Sequence, residues 1–160
     1  MPDQGIVETN NLIDYSIIIP AFNEQNYIGE VLDTLLAGMN KTSDLKGEII
    51  VVDNNSTDQT AQLAESKGVR VVFEAINQIS RARNTGSKEA NGEYLIFVDA
   101  DTLISQELLD LSLQRLKQGR CGGGGATIVF DTNQNQIFFG SFLPFFWSWI
   151  SKALKFAAGS

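Results

Sequence analysis

The chain has 160 residues and a mass of 17.5 kDa, with 43% hydrophobic and 19% charged residues, the composition of one globular domain able to bury a core. It contains no histidine and a single cysteine, Cys121, which excludes Ser-His-Asp and Cys-His catalysis, histidine-ligated zinc or iron, internal disulfides and CxxC redox chemistry. A net charge of −7 argues against a nucleic-acid partner, and any metal must be a hard cation on oxygen ligands, Mg2+ or Mn2+.

Residues 1–14 read as a polar N-terminal arm without the basic and apolar regions of a secretory signal, so a cytoplasmic location is expected. Residues 15–20 (YSIIIP) form a continuous apolar run, the mark of a strand buried on both faces of a parallel sheet. Tyr27, Ile28, Val31, Leu32, Leu35, Leu36 and Met39 then recur at helical spacing on one face. Gly47 introduces a second strand, 48–53 (EIIVVD). Ser56 and Gln59 have the spacing of a capping box for a helix ending near Gly68. A third strand is expected at 69–74, a helix at 80–91, a fourth strand at 93–99, and a helix from about 105 to 117 carrying Leu109, Leu113 and Leu116 on one side, with Glu107 and Asp110 on the solvent-facing side. Strand and helix alternating four times predict an α/β fold, a mostly parallel sheet with helices on both faces.

After Gly122–Gly125 come a short strand, 126–130, and Asp131 at its end. Residues 132–160 read as an aromatic-rich helical segment, with a helix opening at Pro144 and closing at Gly159. Over half the aromatic residues fall in 137–156, a stretch fitted to burial under further protein, to a peripheral membrane contact or to self-association. Residues 122–160 sum to a charge of +1 and residues 1–121 to −8. The four-glycine run could let a ligand approach its backbone, or serve as a flexible exit from the preceding helix.

Ligands of open α/β sheets bind beyond the carboxyl ends of the strands. Three strands end there in carboxylates: Pro20-Ala21-Phe22-Asn23-Glu24, Asp53-Asn54-Asn55 and Asp99-Ala100-Asp101. Asp99 and Asp101 can turn into one cleft and hold a divalent cation with water and phosphate oxygens, although aspartates are also common in solvated loops after strands. Arg81 and Arg83 open a helix, where an anion is already favoured. Being two apart they cannot share a face, so at most one reaches the cleft. Asp53 ends an apolar strand and needs a donor, for which a base N–H, a ribose hydroxyl or the next helix's backbone would each serve, the last weakened because Ser56 is better placed as the cap.

The blocks SIIIPAFNE (16–24), EIIVVDNNSTDQT (48–60), RARNTG (81–86) and NGEYLIFVDAD (91–101), in that order, resemble the family 2 glycosyltransferases of GT-A fold. The resemblance covers about Tyr15 to Thr102, within a nucleotide-sugar-binding core of 15–131. It implies that Glu24 and Asp53 contact the base and ribose of a nucleotide-sugar, and that Arg83 lies near its diphosphate. Asp99 and Asp101 would face the ribose and a Mn2+ or Mg2+ ion, with Asp101 the more direct metal ligand. Pro20, Ala21, Asn55 and Ala100 complete the implied donor site. An acceptor to base N3–H fits uracil, so a UDP-sugar is the expected donor, transferred with inversion to an acceptor hydroxyl. Members of the family continue into a second half that holds the acceptor and supplies a catalytic carboxylate. This chain, ending at Ser160, reads as C-terminally truncated. The family's catalytic base is accordingly expected beyond Ser160, with Asp131 the remaining candidate inside the chain and poor transfer expected.

Two other readings stand beside this one. LIFVDADTL also resembles the first motif of haloacid-dehalogenase-like phosphatases, although that motif belongs on a first strand. A non-catalytic nucleotide-binding fragment is the other. No GxGxxG follows a strand, which excludes a dinucleotide dehydrogenase.

Overall fold

A computed structural model of the chain describes residues 13–40, 45–119 and 123–125. The chain divides into two units, 1–120 and 121–160, and the fold below is that of the first. Its elements are β1 (Tyr15–Ala21), α1 (Ile28–Met39), β2 (Gly47–Asp53), α2 (Thr60–Ser66), β3 (Arg70–Phe73), α3 (Ile79–Glu89), β4 (Tyr94–Phe97) and α4 (Gln106–Lys117). All strands pair in parallel in the order β3-β2-β1-β4. The expected strand 126–130, Asp131, the aromatic stretch and the chain end at Ser160 lie outside the described residues. Neither expectation for the catalytic base, at Asp131 or beyond Ser160, therefore falls on a described residue.

β1 is buried at all seven positions because it is flanked by strands on both edges and by helices on both faces. Side chains alternate between the faces. Tyr15, Ile17, Ile19, Ile49 and Val51 join Ile28, Val31, Leu32 and Leu35 of α1, Ala64 of α2 and Leu109 and Leu113 of α4 in the larger core. Ile18, Ile50 and Val52 face the other way, onto Ala82 of α3, in a much smaller cluster. The helical face read from Ile28 through Leu35 is the buried one. At burial of this kind each large aliphatic side chain contributes roughly 1.5–3 kcal/mol.

α3 packs tightly because its contact residues are small. A Cβ on Gly86 would stand 2.4 Å from Ile18 Cγ2 and 2.9 Å from Val52 Cγ2. At the start of β4 the approach involves backbone: a Cβ on Gly92 would lie 2.4 Å from the Tyr15 carbonyl carbon and 2.5 Å from Ser16 N. Beside it the Ser16 hydroxyl accepts from Gly92 N and donates to Glu48, whose Oε1 also accepts from Asn91 N. Burial opposes the Glu48 charge, but these donors and the Arg70 charge outweigh it and hold its carboxyl below the usual glutamate range.

Three local expectations are corrected. Ser56 does not cap α2; its Oγ accepts from Asn23 N of another loop at 3.1 Å, and the helix starts only at Thr60. β4 is shorter than 93–99, although Val98 N still donates to Ile18 O at 3.0 Å. Asp110 is half-buried rather than solvent-facing, and its charge, after burial itself, helps push the Tyr15 hydroxyl pKa up. α4 starts as expected, with Ser105 Oγ accepting from Leu108 N.

Candidate functional site

The chain leaves β1 toward β2 on one side and reaches β4 on the other, so the strand order reverses at β1, and the crevice there opens at the carboxyl ends of the strands. A pocket of about 580 Å³ occupies it, lined by Pro20, Ala21, Phe22, Glu24, Asn54, Asn77, Ile79, Arg83, Asp99, Ala100 and Asp101. Seven residues singled out from the sequence therefore come together: Pro20, Ala21, Glu24, Arg83, Asp99, Ala100 and Asp101. The ends of β1, β2 and β4 and the first turns of α3 contribute its walls.

Asp53 and Asn55 do not line this pocket. Asp53 Oδ1 accepts from Ser56 N at 3.0 Å, so its partner is the local backbone ahead of α2, the alternative that the sequence alone ranks below Ser56 as the cap. Asn55 is exposed, at φ 64°. Asn54, between them, does line the pocket. It is buried, donating from Nδ2 to Asn77 Oδ1 at 3.4 Å and accepting at Oδ1 from Gln78 N at 3.3 Å. Asn55 itself is left-handed, a conformation that Asn tolerates better than most. Phe22 and Ile79, 41% and 54% exposed, add apolar surface that went unread because both sit at element ends.

Arg83 Nη2 donates to Asp99 Oδ1 at 2.8 Å, both groups about half exposed. Arg81 points elsewhere, its Nε 3.4 Å from Glu74. The hydroxyl of Thr85, the N–H of Ile76 and Arg81 hold the Glu74 carboxyl below its usual range and so fix the entry to α3. Glu24 behaves oppositely: burial, then the charges of Asp101 and Asp58, raise its pKa. The pocket thus concentrates negative charge around one arginine. Among the described residues its charged oxygen groups are carboxylates, which fits a hard divalent cation. Asp101 is exposed and, among the described residues, bonded only to its neighbour Thr102, whereas Asp99 is held by Arg83. Among the described residues no three acidic, cysteine or histidine groups form a cation cage, so phosphate and water oxygens would supply the other ligands.

The arrangement has relatives. Glycosyltransferase EpsJ of Bacillus subtilis, whose function is uncharacterized, is 34% identical over 110 residues, 66% of this chain and 31% of EpsJ. The crystal structure of S. aureus TarS 1-349 in complex with UDP-GlcNAc matches at 33% identity and a TM-score of 0.57, over 66% of this chain and 32% of that one. At 24% identity and a TM-score of 0.55, Mycobacterium tuberculosis glucosyl-3-phosphoglycerate synthase, crystallised with Mn2+, UDP and glucosyl-3-phosphoglycerate, shares the fold. The parallel sheet is that of the GT-A glycosyltransferases. This chain spans about a third of the length of the EpsJ and TarS 1-349 chains. The acid-ended strands of the resemblance, now seen to share one crevice, fall inside a match to the model for Glycosyl transferase family 2 over residues 16–156, and the chain belongs to that family.

Proposed function

We propose that the pocket between β1 and β4 is the donor site of a glycosyltransferase that takes a sugar from a nucleotide diphosphate, UDP first, to an acceptor hydroxyl with inversion. The observation that carries this is the union of Glu24, Asn54, Arg83, Asp99 and Asp101 in one open pocket. TarS, bound to UDP-GlcNAc, is the relative that supports uridine. Asn54 and the Glu24 carboxylate offer hydrogen bonds to a nucleoside, and Phe22 and Ile79 an apolar surface against it. Arg83 exchanges Asp99 for a diphosphate oxygen, and the released Asp99 accepts from a ribose hydroxyl. Mn2+ or Mg2+ held by Asp101 would supply Lewis-acid neutralisation of the leaving diphosphate. Asp99 and Asp101 are thereby occupied, so the acceptor's proton must go to another base. That base is proposed to be a carboxylate of the whole protein beyond Ser160, with Asp131 the candidate within this chain.

The phosphatase reading loses its ground. The DAD acids follow β4, the fourth strand in chain order and not the first, no lysine lines the pocket among the described residues, and the family is a different one. Calorimetric titration of the full chain with UDP, UDP-sugars, other nucleoside diphosphates and pyrophosphate, with and without Mn2+, tests the proposal. Metal-dependent binding of UDP supports it. Absence of nucleotide binding under all conditions refutes it.

A further inference from the structure

Two polar residues outside the pocket act on one inside it. The loop after β1 presents three consecutive amides, Asn23, Glu24 and Gln25, ahead of the first turn of α1. Each donates to a side chain in the loop after β2 or at the first residue of α2: Asn23 N to Ser56 Oγ at 3.1 Å, Glu24 N to Thr60 Oγ1 at 2.8 Å, and Gln25 N to Asp58 Oδ2 at 3.2 Å. Bonds return the other way, from Thr57 N to Asn23 Oδ1 at 2.8 Å and from Gln59 N to Gln25 Oε1 at 3.2 Å. The two loops are cross-bonded, and Glu24, whose side chain lines the pocket, sits at the centre of the seam.

The middle bond depends on an oriented hydroxyl. Thr60 is fully buried, and its Oγ1 proton goes to Asp58 Oδ1. Asp58 Oδ1 also accepts from Thr60 N at 2.9 Å, so the carboxylate holds both ends of that residue. With its one proton committed, the hydroxyl keeps its lone pairs for Glu24 N–H. Burial opposes the Asp58 charge, but the Thr60 and Gln25 donors outweigh it and keep the carboxyl below its usual range. The Glu24 carbonyl meanwhile accepts from Tyr27 and Ile28 N at 3.0 and 2.9 Å. Glu24 is pinned at both backbone groups, and only its side-chain torsions stay free.

We propose that Thr60, its hydroxyl oriented by Asp58, is a positioning residue that holds Glu24 where a nucleoside contacts it. This rests on the donor-site reading above. Thr60→Val keeps the shape and removes the hydroxyl, leaving Glu24 N–H without its partner; Thr60→Ser restores the hydroxyl. A residue that only stabilised the fold would change the unfolding midpoint and leave the affinities of the folded protein alone.

The experiment uses the full chain and two readouts: amide exchange at Glu24 without ligand, and affinities for UDP and for pyrophosphate in Mn2+. For Thr60→Val we expect exchange at Glu24 to rise and UDP affinity to fall by about tenfold each, the upper end of the worth of one neutral hydrogen bond. Pyrophosphate, held on the Arg83 side, should stay within about twofold. Thr60→Ser should restore both readouts, and Asp58→Asn, which keeps one of the two accepting oxygens, should fall between. If Thr60→Val does not fold, Asp58→Asn with the same readouts decides. Unchanged Glu24 exchange, equal losses for UDP and pyrophosphate, or no rescue by serine overturns the proposal. A wild-type chain that binds no UDP refutes the donor reading instead, and the exchange arm still shows whether Thr60 holds Glu24.

Discussion

Gly86→Ala perturbs the site without touching it. The added Cβ would meet Ile18 Cγ2 at 2.4 Å and Val52 Cγ2 at 2.9 Å, where carbon atoms normally rest about 3.5–4.0 Å apart. Both obstacles are methyls of fully buried β-branched residues with restricted torsions, so the helix rather than the sheet must give way. Relief requires α3 to lift by roughly 1 Å, the difference between these distances. Overpacking of this kind costs about 1–3 kcal/mol, of which the helix propensity of alanine offsets about 0.5–1 kcal/mol. Arg83 lies one turn before Gly86, so the same lift draws Nη2 away from its 2.8 Å contact with Asp99. Urea unfolding should show the loss of stability, and UDP titration a weakened donor site. Gly29→Ala, in α1 with nothing within 4 Å of its Cβ, is the control and should gain about 0.4–1 kcal/mol. If Gly86→Ala proves as stable as Gly29→Ala, the packing argument is wrong.

Asp101→Ala should abolish the Mn2+-dependent part of UDP affinity and leave the unfolding midpoint in place, because Asp101 is exposed; unchanged affinity in Mn2+ would remove it from the metal. Glu48 has a lowered folded pKa, so its stabilisation is complete above the ordinary glutamate value and disappears as pH falls through the lower folded one. Urea midpoints from about pH 6 to about pH 3 should therefore drop less steeply for Glu48→Gln than for wild type, and parallel curves would contradict this. Gly92→Ala should destabilise more than Gly86→Ala, since the atoms it meets are backbone of Tyr15 and Ser16 that cannot rotate aside; thermal melts of the two variants give the order.

What could be read from the residues was whatever local pattern controls. YSIIIP and EIIVVD are apolar throughout because both strands are interior, and the spacing from Ile28 to Leu35 reports one buried helix face. The acids at strand ends were readable because a parallel sheet delivers them all to one edge. Ser56 misled because its partner, Asn23, lies 33 residues away, and no local spacing reveals a tertiary donor. That Asn54 and not Asn55 lines the pocket could not be read, because which residue of a turn faces inward depends on backbone torsions that local sequence does not specify. The loop-to-loop bonding around Thr60 was invisible for the same reason as Ser56.

Strand order also sets a timetable. Ser16 meets Glu48 across 32 residues but Gly92 across 76. Closing the longer loop carries an extra entropic cost of about 0.8 kcal/mol before any contact offsets it. The β1–β2 pairing, which brings Glu24 beside Asn54, is therefore expected to precede docking of β4, which delivers Asp99 and Asp101. A folding chain would acquire the Glu24–Asn54 wall of the pocket first and the Asp99–Asp101 wall last. Ile49→Val should then slow folding, whereas Ile96→Val should mainly speed unfolding; the reverse assignment of rates would show that β4 docks early.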